Sequence, residues 1–272
     1  MPWEATWRID MDTRPHEHVS IAHTGEPLLS VEGVSLTLSR RLILREVDLE
    51  MRTGEFLGLI GPNGGGKTSL LRVILGVIPP TAGRVVWHDP AAGGKPAIGY
   101  VPQRSITERN YPLRTLEIVR QGSRGALPQY GARAQQSRQQ AESLLQRVGL
   151  EREAETPFAV LSGGQQRRAL MARALMDNPR ALLIDEATAG VDARGQDQIC
   201  AILRDLTRHG IAILLVSHDI PLIAEYADRI ACLSTSLHWH GAAHELTDAI
   251  VHEAYRCELV NYEASTHRKH VS

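Results

Sequence analysis

The chain contains no apolar run long enough to cross a lipid bilayer. A membrane-spanning helix needs about 20 consecutive apolar residues, whereas runs such as residues 211–216 have only the length of a buried strand. Residues 1–18 mix acids and histidines where a secretory signal has a basic start and an apolar core. We therefore expect neither a membrane span nor export through such a signal.

Cysteine is scarce, and neither sign of charge is in surplus. Cys200, Cys232 and Cys257 form no C-x-x-C pair, which argues against a disulfide framework or a zinc knot and favours reduced, buried thiols. The 30 basic and 31 acidic residues leave a net charge of -1, so no positive field favours nucleic acid or an anionic membrane surface. We expect no nucleic-acid partner, and membrane contact only through a partner protein.

The hydrophobic pattern divides the chain into three parts. Residues 1–27 are polar without a regular period, which predicts a flexible extension. Residues 28–246 alternate strand-like and helix-like segments, which predicts an α/β fold with a mainly parallel sheet and an N-terminal antiparallel β subdomain. A helix-forming insertion covers about 104–178, and residues 247–272 are expected to form a helical tail.

A glycine-rich loop between an apolar strand and a helix is the first motif with chemical content. The segment GPNGGGKT fits the pattern G-x-x-x-x-G-K-[ST], in which the backbone amides and the following helix face phosphate. Lys67 is expected to reach the β- and γ-phosphates, and Thr68 to hold Mg²⁺. The predicted nucleotide-binding residues are Gly61, Pro62, Asn63, Gly64, Gly65, Gly66, Lys67, Thr68 and Ser69.

Two carboxylates follow a second apolar strand, in the segment LLIDE at 182–186. Asp185 ends a predicted buried strand, where a carboxylate needs a partner that Mg²⁺, held with Thr68, would supply. Glu186 is then the candidate to orient and polarise the attacking water.

Two further residues take a predicted role only from this context. His218 follows the strand at 211–216, and Gln103 follows Tyr100-Val101-Pro102. Each would be structural in isolation. Beside a phosphate site, the imidazole of His218 can bond the γ-phosphate and brace Glu186, while the amide of Gln103 can bind Mg²⁺ and sense the γ-phosphate.

The segment LSGGQ at 161–165 predicts a second phosphate-binding helix start. Ser162 and Gln165 have the spacing of a capping box, but Gly163 and Gly164 weaken a helix unless something must approach its backbone closely. One chain thus carries two phosphate sites for one nucleotide. Two copies that pair head to tail about a two-fold axis would resolve this.

In the order and content of these motifs the chain resembles the ATP-binding cassette (ABC) ATPases, over about residues 28–246. The resemblance implies a homodimer that holds two ATP, each between one P-loop and the partner's signature at Ser162, Gly163, Gly164 and Gln165. It also implies a D-loop at 189–192 with Asp192, a catalytic set of Glu186, His218, Gln103 and Lys67, and Mg²⁺ on Thr68, Gln103 and Asp185. Leu38 stands where many relatives have an aromatic residue against adenine, so we expect Leu38 to bind the nucleotide base by aliphatic packing. Ala187 replaces a usual proline.

Within that family, residues 98–104, 188–192 and 239–241 resemble the importers of zinc, manganese or iron. The resemblance implies an ATPase at the cytoplasmic face of the inner membrane, with membrane permease subunits and an extracytoplasmic metal-binding receptor. An iron-siderophore importer and a non-transport ABC ATPase remain alternatives. A weaker hypothesis gives a metal-sensing role to the histidines His16, His18, His238, His240 and His244.

Overall fold

The computed structural model describes residues 25–89, 93, 95–103, 113–123, 130–186, 191–252 and 255. They divide into two compact units. The P-loop unit comes from His23–Pro96 and Ala212–Ser272, and the helical unit contains Ala97–Ile211. Among the helices of the described ranges, none combines the length and the apolar character that a bilayer span requires.

Within the described residues between 27 and 242, nine strands and six α-helices are assigned, and short 3-10 turns connect some of them. In chain order they are β1 Pro27–Leu38, β2 Arg41–Arg52, β3 Phe56–Ile60, α1 Lys67–Ile74, β4 Ala82–Trp87, β5 Ile98–Val101, α2 Thr115–Arg120, α3 Ala132–Arg147, α4 Gly163–Ala174, β6 Ala181–Asp185, α5 Ala193–Arg208, β7 Ala212–Val216, α6 Ile220–Tyr226, β8 Arg229–Ser234 and β9 Ser236–Ala242.

The P-loop unit contains antiparallel and parallel pairing. Strands β1, β2 and β4 form an antiparallel sheet in the order β2-β1-β4. Strand β3 pairs in parallel with both β7 and β8, and β9 adds to β8 in the antiparallel sense. Every residue of β3 and β7 is buried, which explains their continuous apolar sequences, because strands inside a parallel sheet are covered on both faces.

The helical unit joins a parallel strand pair to four helices. Strands β5 and β6 pair in parallel, from Ile98 with Ala181 to Val101 with Ile184. Helix α5 buries Ile199, Leu203 and Leu206, whose spacing of three and four residues places them on one helix face. Helices α2, α3 and α4 contact one another. The strand pair ends where the predicted carboxylates begin.

The predicted α/β fold is confirmed, with differences at the boundaries of its elements. The hydrophobic pattern predicts strands at 31–38 and 47–51, and these are parts of the longer β1 and β2. The sequence also predicts helices at 134–148, 166–176 and about 193–208. The first two begin earlier in the structure, as α3 and α4, and the third has the same ends as α5. Strands β4, β5, β8 and β9 were not predicted. Of the predicted tail, residues 248–252 are helical, and Cys257 lies outside the described residues.

Candidate functional site

The predicted P-loop joins β3 to α1 in the P-loop unit. Gly66 precedes the first turn of α1 with φ 98°, a left-handed conformation that favours glycine. A Cβ there would also lie 2.7 Å from Leu44 Cδ2. The Lys67 ammonium is buried and donates hydrogen bonds to the carbonyl oxygens of Gly61 and Pro62, each at 2.7 Å. The Lys67 side chain is therefore held against the backbone of the P-loop, the loop in which it is expected to bind phosphate.

Main-chain groups of the β8–β9 hairpin support this loop. A Cβ on Gly61 would lie 1.9 Å from the carbonyl oxygen of Leu233, so only glycine fits. The Thr235 amide donates to the Gly65 carbonyl at 2.9 Å, and the Arg45 amide donates to the Thr235 carbonyl at 2.7 Å. The loop is therefore connected through the backbone to β2 and to the hairpin.

His218 lies at the same sheet edge as the P-loop. Strands β3 and β7 run in parallel with Leu59 opposite Val216, so both chains leave the sheet at the same end. His218 is exposed, between Ser217, whose Oγ accepts from the Asp219 amide at 3.0 Å, and Asp219, which caps α6. Its position is compatible with the predicted contact to a terminal phosphate.

The predicted carboxylates lie at the end of β6 in the helical unit. Asp185 is buried, and Glu186 follows with φ 54°. A non-glycine residue in this region costs about 1–3 kcal/mol and is typical of functional sites. The amide of Gln103 donates from Nε2 to Glu186 Oε2. The structure thus brings together two of the predicted catalytic residues.

Arg167 completes this cluster and was missed in the sequence reasoning. From α4 its guanidinium donates to the Pro102 carbonyl oxygen at 2.9 Å and to the Gln103 carbonyl oxygen. Burial lowers the pKa of Arg167, and the negative charges of Glu186 and Asp185 oppose that shift. The cation therefore lies within electrostatic reach of both carboxylates. Only its position two residues after LSGGQ could have drawn attention to it.

The predicted capping box at the start of α4 is confirmed. The Ser162 amide donates to Gln165 Oε1 at 2.9 Å, and the Gln165 amide donates to Ser162 Oγ at 3.3 Å. A Cβ on Gly164 would lie 3.4 Å from Val191 Cγ1, which is ordinary contact. Internal packing therefore does not require glycine at 164, although glycine costs about 1 kcal/mol in a helix. The close approach of a ligand to the helix backbone would explain the glycine at this position.

Comparison with known proteins identifies the family. A family model for "ABC transporter" matches residues 44–189, more than half of the chain. The chain belongs to the ABC transporter family. It is therefore an ATP-binding cassette, an ATPase.

Individual relatives agree with this assignment. The cassette is 37% identical to "Zinc import ATP-binding protein ZnuC" of Pseudomonas savastanoi pv. phaseolicola over 77% of this chain and 73% of that one. It is 35% identical to the protein of the same name from Yersinia pestis bv. Antiqua, over 79% of each. A solved dimeric structure of MJ0796, a bacterial ABC transporter cassette, is similar with a TM-score of 0.66 and 28% identity, and covers 80% of this chain and 100% of that one.

Of the remaining predicted positions in the cassette, Asp192 and Leu38 lie within the described residues. Asp192 caps α5, accepting at Oδ1 from the Gly195 amide at 3.2 Å. Leu38 ends β1 at the hairpin tip and is 39% exposed, so it is available for contact with a base. The rest of the predicted D-loop at 189–190, the replaced proline position Ala187 and most of the predicted extension at 1–27 lie outside the described residues.

The metal-sensing hypothesis stays a prediction, and the described residues bring no set of metal ligands together around His238, His240 and His244. In the described ranges no group of three or more His, Cys, Asp or Glu residues could hold a metal ion. His238 Nε2 lies 3.2 Å from the Ser234 carbonyl oxygen, and His240 Nδ1 lies 3.4 Å from an Arg229 nitrogen. His244 is exposed. His16 and His18 lie outside the described residues.

Proposed function

We propose that this chain is the ATP-hydrolysing subunit of a zinc importer and works as a head-to-tail dimer on membrane permease subunits. The observation that carries the zinc assignment is its 35–37% identity to zinc import ATP-binding proteins over 77–79% of the chain. These relatives are named for zinc, so zinc is proposed in preference to manganese. The cassette would lie at the cytoplasmic face of the inner membrane, and an extracytoplasmic receptor would supply the metal.

The proposed reaction also needs Mg²⁺, and the donor atoms fit that ion. The Thr68 hydroxyl, the Asp185 carboxylate and the Gln103 amide are hard oxygen ligands of the kind that Mg²⁺ prefers. Asp185 is only 2% exposed, and a bound divalent cation would stabilise a carboxylate in such a place. When bound, the ion would neutralise charge on the β- and γ-phosphates.

The side chains of the cassette would perform the remaining steps of hydrolysis. Lys67 would bind the β- and γ-phosphates after its bonds to Gly61 and Pro62 are exchanged for phosphate oxygens. Glu186 would accept a proton from the attacking water and orient it. Its carboxylate already accepts from Gln103, and His218 would donate to the terminal phosphate.

The proposed dimer places the start of α4 on the nucleotide of the partner chain. The first amides of a helix have no acceptor within that helix, and they favour phosphate together with the helix dipole. Gly164 leaves room for that approach at no benefit to internal packing. The pairing of P-loop and signature from different chains accounts for both phosphate sites.

The test of this proposal is zinc uptake in cells that lack their own zinc importer and express this chain with its permease and receptor. We expect uptake with the wild-type chain and none with Glu186→Gln. In the purified complex that variant should lower ATP hydrolysis by roughly 100-fold or more, the usual contribution of a general base, with ATP affinity retained.

Glu225→Gln, the same chemical change at an exposed residue of α6, is the matched control and should retain both activities. Full hydrolysis in Glu186→Gln would show that this carboxylate is not the base. Hydrolysis without zinc uptake in the wild-type complex would refute the zinc assignment and leave the ATPase intact.

A further inference from the structure

Arg167 is a half-buried cation that the motifs of the cassette do not explain. It lies in the first half of α4, beyond the capping box, and its side chain turns toward the end of β5. Holding a guanidinium in a partly buried place costs desolvation energy, which is compensated where the group is paired and hydrogen-bonded. Its partners therefore indicate what it does.

The hydrogen bonds of Arg167 fix two consecutive peptide units. Nη1 donates to the carbonyl oxygen of Pro102 at 2.9 Å, and Nη2 donates to that of Gln103. A guanidinium is a planar fork of donors, so two bonds to adjacent carbonyls restrict both the position and the orientation of that backbone. The segment that carries the Gln103 side chain is thereby attached to α4.

The Gln103 side chain extends this connection to the proposed base. Its Nε2 donates to Glu186 Oε2, so one chain of contacts runs from the guanidinium through Gln103 to the carboxylate. The charge acts in the same direction, because Asp185 and Glu186 both attract the cation. Arg167 itself bonds to backbone carbonyls, whereas the side chain of Gln103 reaches the carboxylate.

We propose that Arg167 is a positioning residue for hydrolysis, which holds Gln103 so that its amide orients the Glu186 carboxylate. The inference rests on the proposed role of Glu186 and adds a residue that acts on it through Gln103. This role of Arg167 gives helix α4 two functions in the active site. The same helix whose N-terminus is proposed to face the partner's nucleotide also sets the geometry of the carboxylate in its own chain.

Arg167→Gln in the purified complex tests this role. We expect kcat for ATP hydrolysis to fall by about tenfold, because a misplaced catalytic group can cost as much as about 100-fold, while ATP affinity stays within about twofold. Arg167→Lys keeps the charge but lacks the fork, and it should recover only part of the lost kcat. Amide hydrogen exchange in residues 98–103 should become faster in both variants.

A double-mutant cycle with Gln103→Ala distinguishes positioning from general damage. If Arg167 acts through Gln103, adding Arg167→Gln to Gln103→Ala lowers kcat little further. Independent, multiplying losses would overturn the inference, and so would full kcat in Arg167→Gln or complete recovery by Arg167→Lys.

Arg168→Gln is the matched control for folding. Arg168 is also a half-buried arginine of α4 whose pKa burial lowers, but it bonds to Gln198 of α5. It should lose comparable thermal stability and keep most of kcat. Equal losses of kcat in both variants would mean that Arg167 only supports folding. The zinc assignment is not tested by these measurements, since they need only hydrolysis of ATP.

Discussion

At the scale of single residues, the partly buried imidazole of His240 links stability to pH. Its ring in β9 lies beside the Arg229 guanidinium, and within the described structure its Nε2 is buried without a partner. Burial lowers the pKa of His240 to about 4, and Arg229 and Arg52 act in the same direction, while Glu50 opposes them. The folded protein therefore holds this imidazole neutral.

Stability should consequently fall as the pH drops below the ordinary histidine pKa of 6.5. Between pH 6.5 and about 4 the unfolded ring binds a proton that the folded ring does not, so stability rises with pH in this window and is complete above it. Acidification from pH 7 to 5 should cost about 2 kcal/mol through this group.

Urea unfolding of the wild type and of His240→Asn at several pH values measures this contribution. The variant should show a smaller loss of unfolding free energy between pH 7 and 5, by about 2 kcal/mol. Ser236→Asn, a non-titrating change in the same strand, serves as the control and should keep the slope of the wild type. Parallel pH dependences in His240→Asn and the wild type would contradict the prediction.

At the scale of the elements, Thr235 carries backbone strain in the turn between β8 and β9. It is β-branched and has φ 63°, a left-handed conformation that costs such a residue roughly 1–2 kcal/mol. Its amide and carbonyl are both hydrogen-bonded, to Gly65 and Arg45. These bonds hold the strained conformation in place, and through the bond to Gly65 the backbone of Thr235 supports the P-loop.

Thr235→Asn should therefore stabilise the cassette, because asparagine tolerates this conformation better. We expect the unfolding free energy to rise by about 1 kcal/mol, measured by urea unfolding at pH 7, where His240 is neutral in both variants. The neighbouring Ser236→Asn lies within β9 and should bring no such gain. A destabilised Thr235→Asn would show that the threonine side chain has a favourable role at this turn.

Elements were predictable from the sequence where local chemistry determines them. The start of α4 follows from the spacing of Ser162 and Gln165, because a capping box is complete within four residues. Strand β9 was missed because its SLHWHGA sequence is half-buried and polar, so its partner β8 and not its own pattern defines it. Arg167 was missed because its contacts are 64 and 65 residues away.

At the scale of the whole molecule, the proposed dimer makes each active site depend on two chains. Lys67→Ala should disable the P-loop of its own chain, and Ser162→Arg should disable the signature offered to the partner. In a mixed dimer the two lesions meet in one site, and the other site has an intact P-loop and an intact signature.

An equal mixture of the two inactive variants should therefore regain ATPase activity, up to about one quarter of the wild-type value, because half of the dimers are mixed and each has one intact site. Each variant alone should stay inactive, and monomeric Ser162→Arg should still bind ATP. A mixture of Lys67→Ala with Glu186→Gln is the control and should stay inactive, because both lesions act on a chain's own nucleotide. Failure of the first mixture to regain activity would contradict shared sites.

The backbone support of the P-loop has a consequence for how the sequence can diverge. The Thr235 amide and the Leu233 carbonyl contact Gly65 and Gly61, and these are groups that almost every amino acid carries. The side chain at the half-buried position 235 can therefore change while the loop keeps its backbone support. Gly61 has no such freedom, and the Leu233 side chain is itself fully buried, so we expect related sequences to vary at 235 and to keep residue 61.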